Sequence, residues 1–301
     1  VPPSDDWRAA LAAARGARVT LVIGASDAGK TTLVAGLASA LAAGGASVAV
    51  VDSDVGQSEI GPPTTVGLGR VTGPLGRLAD AATVAMQFVG VSSPARDIAG
   101  VVEATRRMAD RARAEGVAHV LVDTSGLVTG WPGRLLKQRK IDAVDPDLLL
   151  VLERSDECAP IVAPYAGRPR PRVLRLPARG RARSRSQAVR RRHRADALDA
   201  YLRTAPAVAF ARSRVAVDAP PGLDPAAARG ALCGLDDAQG RTLALGVVES
   251  ITADRALVRA PIEDVALVTR LRLGKERRDG TPLAPAPDRR ASGGDGRDGA
   301  R

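Results

Sequence analysis

The sequence predicts an α/β fold: a parallel sheet with helices on both faces, followed by a smaller β unit. Three observations carry this. Apolar runs at 19–23, 47–51, 118–122, 147–152 and 172–176 alternate with helical stretches, the spacing of strand–helix–strand units. These runs are mostly apolar, as strands covered on both faces are. After Pro206 the pattern changes to short runs at 207–211, 214–217, 231–235, 242–248, 256–259 and 265–273. Turn signals such as Asp236-Asp237 and Gln239-Gly240 separate them, which reads as a small β domain.

In chain order, residues 1–18 are a lead-in with a short helix from Asp6 to Ala14. The first strand, Val19–Ile23, runs into G-A-S-D-A-G-K-T at Gly24 to Thr31, a complete G-x-x-x-x-G-K-[ST] phosphate loop. With a strand before it and an apolar helix after it, the motif makes the fold a P-loop NTPase sheet. Gly24, Ala25, Ser26, Asp27, Ala28, Gly29, Lys30, Thr31 and Thr32 are the expected nucleotide-binding residues. Backbone N–H groups and the positive end of the helix attract phosphate. Lys30 reaches the β- and γ-phosphates, and the Thr31 hydroxyl takes Mg²⁺.

The helix Thr32–Ala43 ends at Gly44-Gly45, and a second strand, Ser47–Val51, closes on Asp52 and Asp54. Leu33 to Val51 holds no charge over 19 residues, enough to cross a bilayer, but Gly44-Gly45 divides it into a helix and a strand. No membrane segment is expected. Asp5 and Asp6 stand where a secretory leader would be basic, so none is expected either. Gly56 to Gly69, rich in Gly and Pro, reads as an irregular loop. A strand at 83–89, an amphipathic helix at 96–115, a buried strand ending at Asp123, a basic helix at 133–143, and strands at 147–152 and 172–176 follow. From residue 276 onward, Gly, Pro, Asp and Arg without periodicity predict a disordered tail.

The 301 residues are 45% hydrophobic but only 2% aromatic, so Ala, Val, Leu and Ile must build the core. The two cysteines, Cys158 and Cys233, fit no metal spacing and suit a reducing cytoplasm as small buried side chains. The net charge is +11, and Arg168 to Arg194 alone holds twelve Arg and no acid; subtracting 12 leaves the rest near −1. One segment therefore carries the whole basic excess. Such a segment can neutralise phosphates along a nucleic-acid strand or a transferring phosphoryl group. The near absence of aromatics argues against a long base-stacking platform.

Three carboxylates stand at strand ends, where open α/β sheets bind ligands: Asp52, Asp54 and Asp123. One can accept a proton from an attacking hydroxyl while another orients Mg²⁺ or its waters. Asp54 opens D-V-G-Q and is the expected base. Asp52, deeper in the strand, is expected to be structural. Asp123 follows the apolar run Val120 to Val122, as a Walker-B carboxylate follows its strand, and either caps its strand or joins Thr31 and Asp54 at a metal.

The run D-A-G-K-T-T-L, then D-S-D-V-G-Q-S-E-I-G-P-P, resembles the Clp1/Grc3/Nol9 family of polynucleotide 5′-hydroxyl kinases, in a prokaryotic form. D-T-S-G at 123–126, L-K-x-x-K-I from Leu136, D-P-D ending at Asp147, R-S-x-x-x-x-x-R from Arg183 to Arg190, and G-L-D-D-A-Q-G-R-T-L-A-L-G-V-V from Gly234 extend the resemblance over residues 19–275. It implies ATP- and Mg²⁺-dependent transfer of the γ-phosphoryl to the 5′-hydroxyl of RNA or DNA, single-stranded or with an exposed end. It implies Lys30, Asp54 and Gln57 at the reacting centre, with Arg183 and Arg190 on an arginine-rich lid near 168–194. It implies a kinase domain over 19–205 and a small β domain over 206–275. One departure stands out: where the family often carries a Trp that holds nucleic acid, this chain has Leu127, and Trp131 lies four residues later. The alternative functions are a P-loop ATPase switch and a nucleotide-holding RNA-processing scaffold without kinase activity.

Overall fold

The computed structural model describes residues 4–178 and 186–283. Helix α1 (Asp5–Arg15) precedes β1 (Val19–Gly24), and the phosphate loop leads into α2 (Lys30–Ala43) and β2 (Val48–Ser53). The charge-free run is thus a helix and a strand. Among the described residues no helix is long and apolar enough to cross a membrane. The chain continues through β3 (Thr65–Val71), β4 (Ala82–Phe88), α3 (Ile98–Ala114), β5 (His119–Thr124), α4 (Gly130–Val144), β6 (Leu148–Glu153), α5 (Ala159–Val162) and β7 (Arg172–Pro177). Helix α6 (Gln187–Leu202) then leads to β8 (Ala207–Ala211), β9 (Ala216–Asp218), β10 (Ala231–Asp236), β11 (Thr242–Ile251), β12 (Arg255–Arg259) and β13 (Arg270–Arg277).

Strands β7-β6-β1-β5-β2 are parallel in that order. Their carboxyl ends share one edge, and that edge carries the phosphate loop, Asp54 and Asp123. Odd and even strand residues face opposite helix layers, as the period of two demands. Val48, Val50 and Leu121 pack with α1 and α2, whereas Ala49, Val51, Val120 and Val122 pack with α3 and α4. The sheet then continues antiparallel through β3 and β4, and a pairing of Met86 with Thr242 joins β4 to β11. Strands β8–β13 surround a third apolar core. Leu198 and Leu202 of α6 pack with Phe88, Leu232 and Leu245.

Four expectations change. Within the expected loop at 56–69, Thr65 onward is strand β3, paired on both sides. Its glycines serve close approach rather than a turn: a Cβ on Gly67 would meet the Ile60 carbonyl oxygen at 2.0 Å. The parallel sheet gains antiparallel strands beyond β2. The strand expected at 172–176 is edge strand β7 alongside β6, so it is the lower bound of the lid expected near 168–194 that moves. Strand β13 runs past residue 275 and turns at Gly280, with Glu276 bridging to Pro282. The lid residues 179–185, including Arg183, and the tail 284–301 lie outside the described residues.

Candidate active site at the strand ends

The phosphate loop sits against the end of β5. A Cβ on Gly126 would meet the Ser26 backbone nitrogen at 2.5 Å, so D-T-S-G and the loop touch through bare backbone. Lys30 is buried and donates to the Ala25 carbonyl at 2.9 Å; burial lowers its pKa, opposed by Asp123, Asp54 and Asp27. Thr31 Oγ1 donates to Asp123 Oδ2 at 2.6 Å. Burial raises the pKa of Asp123, while Lys30 and Thr31 oppose the rise. Asp123 therefore faces the nucleotide loop across the sheet rather than capping its strand alone.

Parallel register sets Asp52 beside Asp123 and Ser53 beside Thr124. Asp52 is saturated by its own loop: Oδ2 accepts from the Glu59 N–H (2.6 Å), the Ile60 N–H (3.0 Å) and the Ser58 hydroxyl (3.3 Å), and Oδ1 from the Asp54 N–H (3.0 Å). Burial and the neighbouring Asp123 push its pKa up to about 7. Asp54 differs. Its Oδ1 accepts from the Gly56 and Gln57 N–H groups at 3.0 and 3.1 Å, while no hydrogen bond occupies Oδ2 among the described residues. The turn orients this carboxylate and leaves one oxygen for a ligand.

Gln57 Nε2 donates to the Gly56 carbonyl at 2.5 Å and reaches the Arg190 carbonyl at 3.4 Å, so it links the β2 end to α6. The Arg190 guanidinium stands 3.8 Å from the Asp27 carboxylate, over the phosphate loop. Gly24 to Thr32, Asp54, Gln57, Asp123 and Arg190 thus converge on one crevice. Leu127 packs on the apolar core, and Trp131 is 64% exposed.

Two further residues belong to this crevice and were not singled out as site residues: Lys137 and Lys140, both 0% exposed. Three residues apart on α4, they reach the two strand ends from the face opposite α2. Lys137 Nζ donates to Thr124 Oγ1 (2.8 Å) and the Ser125 carbonyl (2.5 Å). Lys140 Nζ donates to the Ser53 carbonyl (3.1 Å) and the Ser53 hydroxyl. Burial drives the Lys137 pKa well below the usual lysine value, with Lys140 adding to the drop. Burial brings Lys140 to about 8, opposed by Asp54, Asp52 and Asp123. A signal existed: the chain keeps only four lysines amid abundant arginine, and two of them are these. A compact ammonium can be buried where a planar guanidinium does not fit.

A cavity of about 440 Å³ lies elsewhere, between α3 and β13. Its cations Arg107, Arg270, Arg272 and Lys275 are each paired with a carboxylate, so the strand-end crevice is the better phosphate site.

The family described as the mRNA cleavage and polyadenylation factor CLP1 P-loop matches residues 24–204. This chain belongs to that family. The span runs from the first glycine of the phosphate loop through α6 and takes in every CLP1 P-loop site residue described above. A polyribonucleotide 5′-hydroxyl-kinase of Pyrococcus furiosus is 36% identical over 197 residues, covering 65% of this chain and 54% of that one. One of Methanocaldococcus jannaschii is 33% identical over 183 residues, covering 61% and 50%. The chain thus matches about half the length of these relatives. A solved Clp1p–Pcf11p complex superimposes with a TM-score of 0.65 at 13% identity, over 86% of this chain and 74% of the other; this likeness concerns the fold.

Proposed function

We propose that the protein is an ATP-dependent polynucleotide 5′-hydroxyl kinase that transfers the γ-phosphoryl of ATP to the 5′-hydroxyl of RNA or DNA. The carrying observation is the pairing, in one crevice, of a phosphate loop with a carboxylate that its own turn orients and leaves half free. An ATP hydrolase needs the loop and a place for water. A kinase also needs a base beside the acceptor oxygen, and Asp54 Oδ2 suits that role. The similar archaeal proteins bear the name polyribonucleotide 5′-hydroxyl-kinase, which supports the same reading.

In this reading the loop N–H groups and Lys30 bind the β- and γ-phosphates, Lys30 leaving the Ala25 carbonyl for phosphate oxygen. The residues fit Mg²⁺: Thr31 Oγ1 and Asp123 Oδ2 are hard oxygen donors already in contact, with Asp54 nearby. Among the described residues no three His, Cys, Asp or Glu side chains cluster to hold an ion alone, which suits an ion carried in on phosphates. Bound there, Mg²⁺ would neutralise charge on the β- and γ-oxygens. Asp54 Oδ2 accepts the proton of the 5′-hydroxyl as its oxygen bonds to the γ-phosphorus and the bond to the β-phosphate oxygen breaks. Gln57 ties that turn to α6, and Arg190, with Arg183 of the lid, stabilises charge on the transferring group.

The test supplies γ-labelled ATP with 5′-hydroxyl RNA and DNA oligonucleotides. Label on the oligonucleotide is the expected result. Free labelled phosphate alone would assign an ATPase switch, and neither product a nucleotide-holding scaffold.

A further inference from the structure

Beyond Asp54 the crevice continues as a narrow groove between α6 and the turn that follows β13. Pro63, Thr64 and Ser92 form one wall; Arg191 and Arg194 of α6 and Arg277 of β13 form the others. The groove starts at the acceptor side of the site. Gly56, two residues after Asp54, lies so close to Ser92 that a Cβ there would sit 2.6 Å from its carbonyl oxygen. Arg194 lies within the fields of both Asp54 and Glu276. One helical turn earlier, Arg190 stands over the phosphate loop. Successive turns of α6 therefore present one arginine to the donor side and another to the acceptor side.

Two features of the groove leave side-chain polar groups without a protein partner. Among the described residues neither Arg191 nor Arg194 pairs with a carboxylate within salt-bridge distance. Glu276, the buried acid beside them, is already engaged by Arg96 at 2.7 Å and the Ser92 N–H at 3.1 Å. Thr64 is the second feature. It is buried, holds the left-handed φ of +71°, and its hydroxyl has no hydrogen-bond partner. A β-branched residue with positive φ is an outlier with a conformational cost. An orphaned buried hydroxyl adds to that cost. Strain and an unmet donor at one residue, beside unpaired guanidinium groups, mark a place built for an anionic ligand with several acceptor oxygens.

We propose that this groove binds the phosphate on the 3′ side of the acceptor's first nucleotide, held by Arg191, Arg194 and the Thr64 hydroxyl, with Arg277 contributed by the C-terminal β strands. The inference rests on the kinase reading and deepens it. The acceptor class becomes a 5′-hydroxyl strand, or at minimum a nucleoside 3′-phosphate, and not a free nucleoside. Leu198 and Leu232, buried against Phe88 and Leu245, form the apolar floor behind the groove. Recognition through phosphate needs no stacking aromatic, in keeping with Leu127 at the usual Trp position. The hairpin is tied to α6 through Arg278 and Asp199 at 2.5 Å, so the two walls are linked.

Two measurements test this. In equilibrium binding of a 3′-labelled 5′-hydroxyl oligonucleotide, RNA and DNA in separate arms, Arg194→Gln and Arg277→Gln should each weaken affinity at least fivefold. Each should also lower the log–log salt slope by about 0.7, one single-strand phosphate contact. Arg192→Gln, on the exposed side of α6 beside Asp196, is the control and should change neither. Thr64→Gly accepts the positive φ and removes the orphaned hydroxyl. It should melt no lower than the wild-type protein yet bind the strand more weakly. In phosphoryl transfer, the wild-type protein should favour a nucleoside 3′-phosphate over the nucleoside by at least tenfold in kcat/KM, and Arg194→Gln should erase that preference through KM. Unchanged affinity and salt slope in Arg194→Gln and Arg277→Gln would overturn the groove. Absence of transfer to every acceptor, with the binding losses intact, would overturn the kinase reading and leave the groove standing.

Discussion

Asp54→Asn separates the base from the turn that carries it. The carboxylate does two things with two oxygens: Oδ1 caps the Gly56 and Gln57 N–H groups, and Oδ2 is left for a ligand. Asparagine keeps a carbonyl oxygen for the cap and puts an amide at the free position. The turn therefore survives at a cost within about 0.5 kcal/mol, as exchanges between good cap residues do. The amide cannot take a proton from a hydroxyl. Loss of a general base costs 10²- to 10⁴-fold, or about 3–5 kcal/mol of barrier. Asp54→Ala removes the cap as well and should add about 1–2 kcal/mol of destabilisation, since two N–H groups lose their partner. The assay pairs single-turnover transfer from γ-labelled ATP with urea unfolding of both variants. Expected are two slow enzymes, of which only the alanine variant is less stable. Wild-type turnover in Asp54→Asn, with Asp123→Asn or Asp52→Asn inactive instead, would refute the reasoning.

Lys30→Met should abolish nucleotide binding while shifting the melting temperature by only a few degrees, because it removes a buried charge whose sole hydrogen bond is to Ala25; retained ATP affinity by calorimetry would contradict the phosphate-loop assignment. Lys140→Met keeps the length of the side chain but leaves the buried Ser53 carbonyl and hydroxyl without their charged donor, which costs about 1–3 kcal/mol; an unchanged urea midpoint would show that these bonds do not hold the strand end. Glu103 supplies the pH dependence. Hydrogen bonds from Arg106, then Arg107, hold its pKa down to about 2, against an ordinary 4.5. Its stabilisation is thus full above pH 4.5 and is lost as the pH falls through 2. The pairs are half exposed, so the effect is about 0.5 kcal/mol or less. Glu103→Gln should therefore lower the unfolding midpoint slightly at pH 7 and not at all near pH 2, by parallel urea titrations.

Legibility in the sequence followed the range of the contacts. The phosphate loop is eight contiguous residues whose chemistry is local, so a motif suffices. The Asp54 turn is equally local, since Asp54, Gly56 and Gln57 make it among themselves. The bond from Thr31 to Asp123 spans 92 residues, and only the pairing of β1 with β5 brings the two together. Strand β3 was obscured because its glycines read as breakers. Their actual role, admitting Ile60 against the strand, depends on a tertiary contact. The buried lysines were half legible. Their scarcity was visible, but that α4 turns both toward the sheet depends on which helix face is covered. The antiparallel continuation and its junction with β11 left no mark, since the single pairing of Met86 with Thr242 follows from packing rather than pattern.

The pleat of the sheet explains how so much charge is tolerated at one edge. Asp52 and Asp123, paired in register, point to the α2 side where the phosphate loop lies. The next pair, Ser53 and Thr124, points to the α4 side and takes the ammonium groups of Lys140 and Lys137. One residue of alternation thus sends carboxylates to one face and their counter-cations to the other, with only backbone between them. Three lysines then stand against three carboxylates, counting Lys30 and Asp54, and the cluster is near neutral as built. That balance has a consequence for what the site can accept. A nucleotide triphosphate brings several negative charges, and Lys137 and Lys140 are already committed to Thr124, Ser125 and Ser53 at the strand ends, which leaves Lys30 alone of the three to turn to phosphate. The further positive charge must arrive with the ligand or from α6. Among the described residues, Arg191 and Arg194 of that helix have no carboxylate within salt-bridge distance, while Arg190 pairs with Asp27 at 3.8 Å. Four of the twelve arginines of 168–194, namely Arg190, Arg191, Arg192 and Arg194, lie on α6, the helix that borders this crevice.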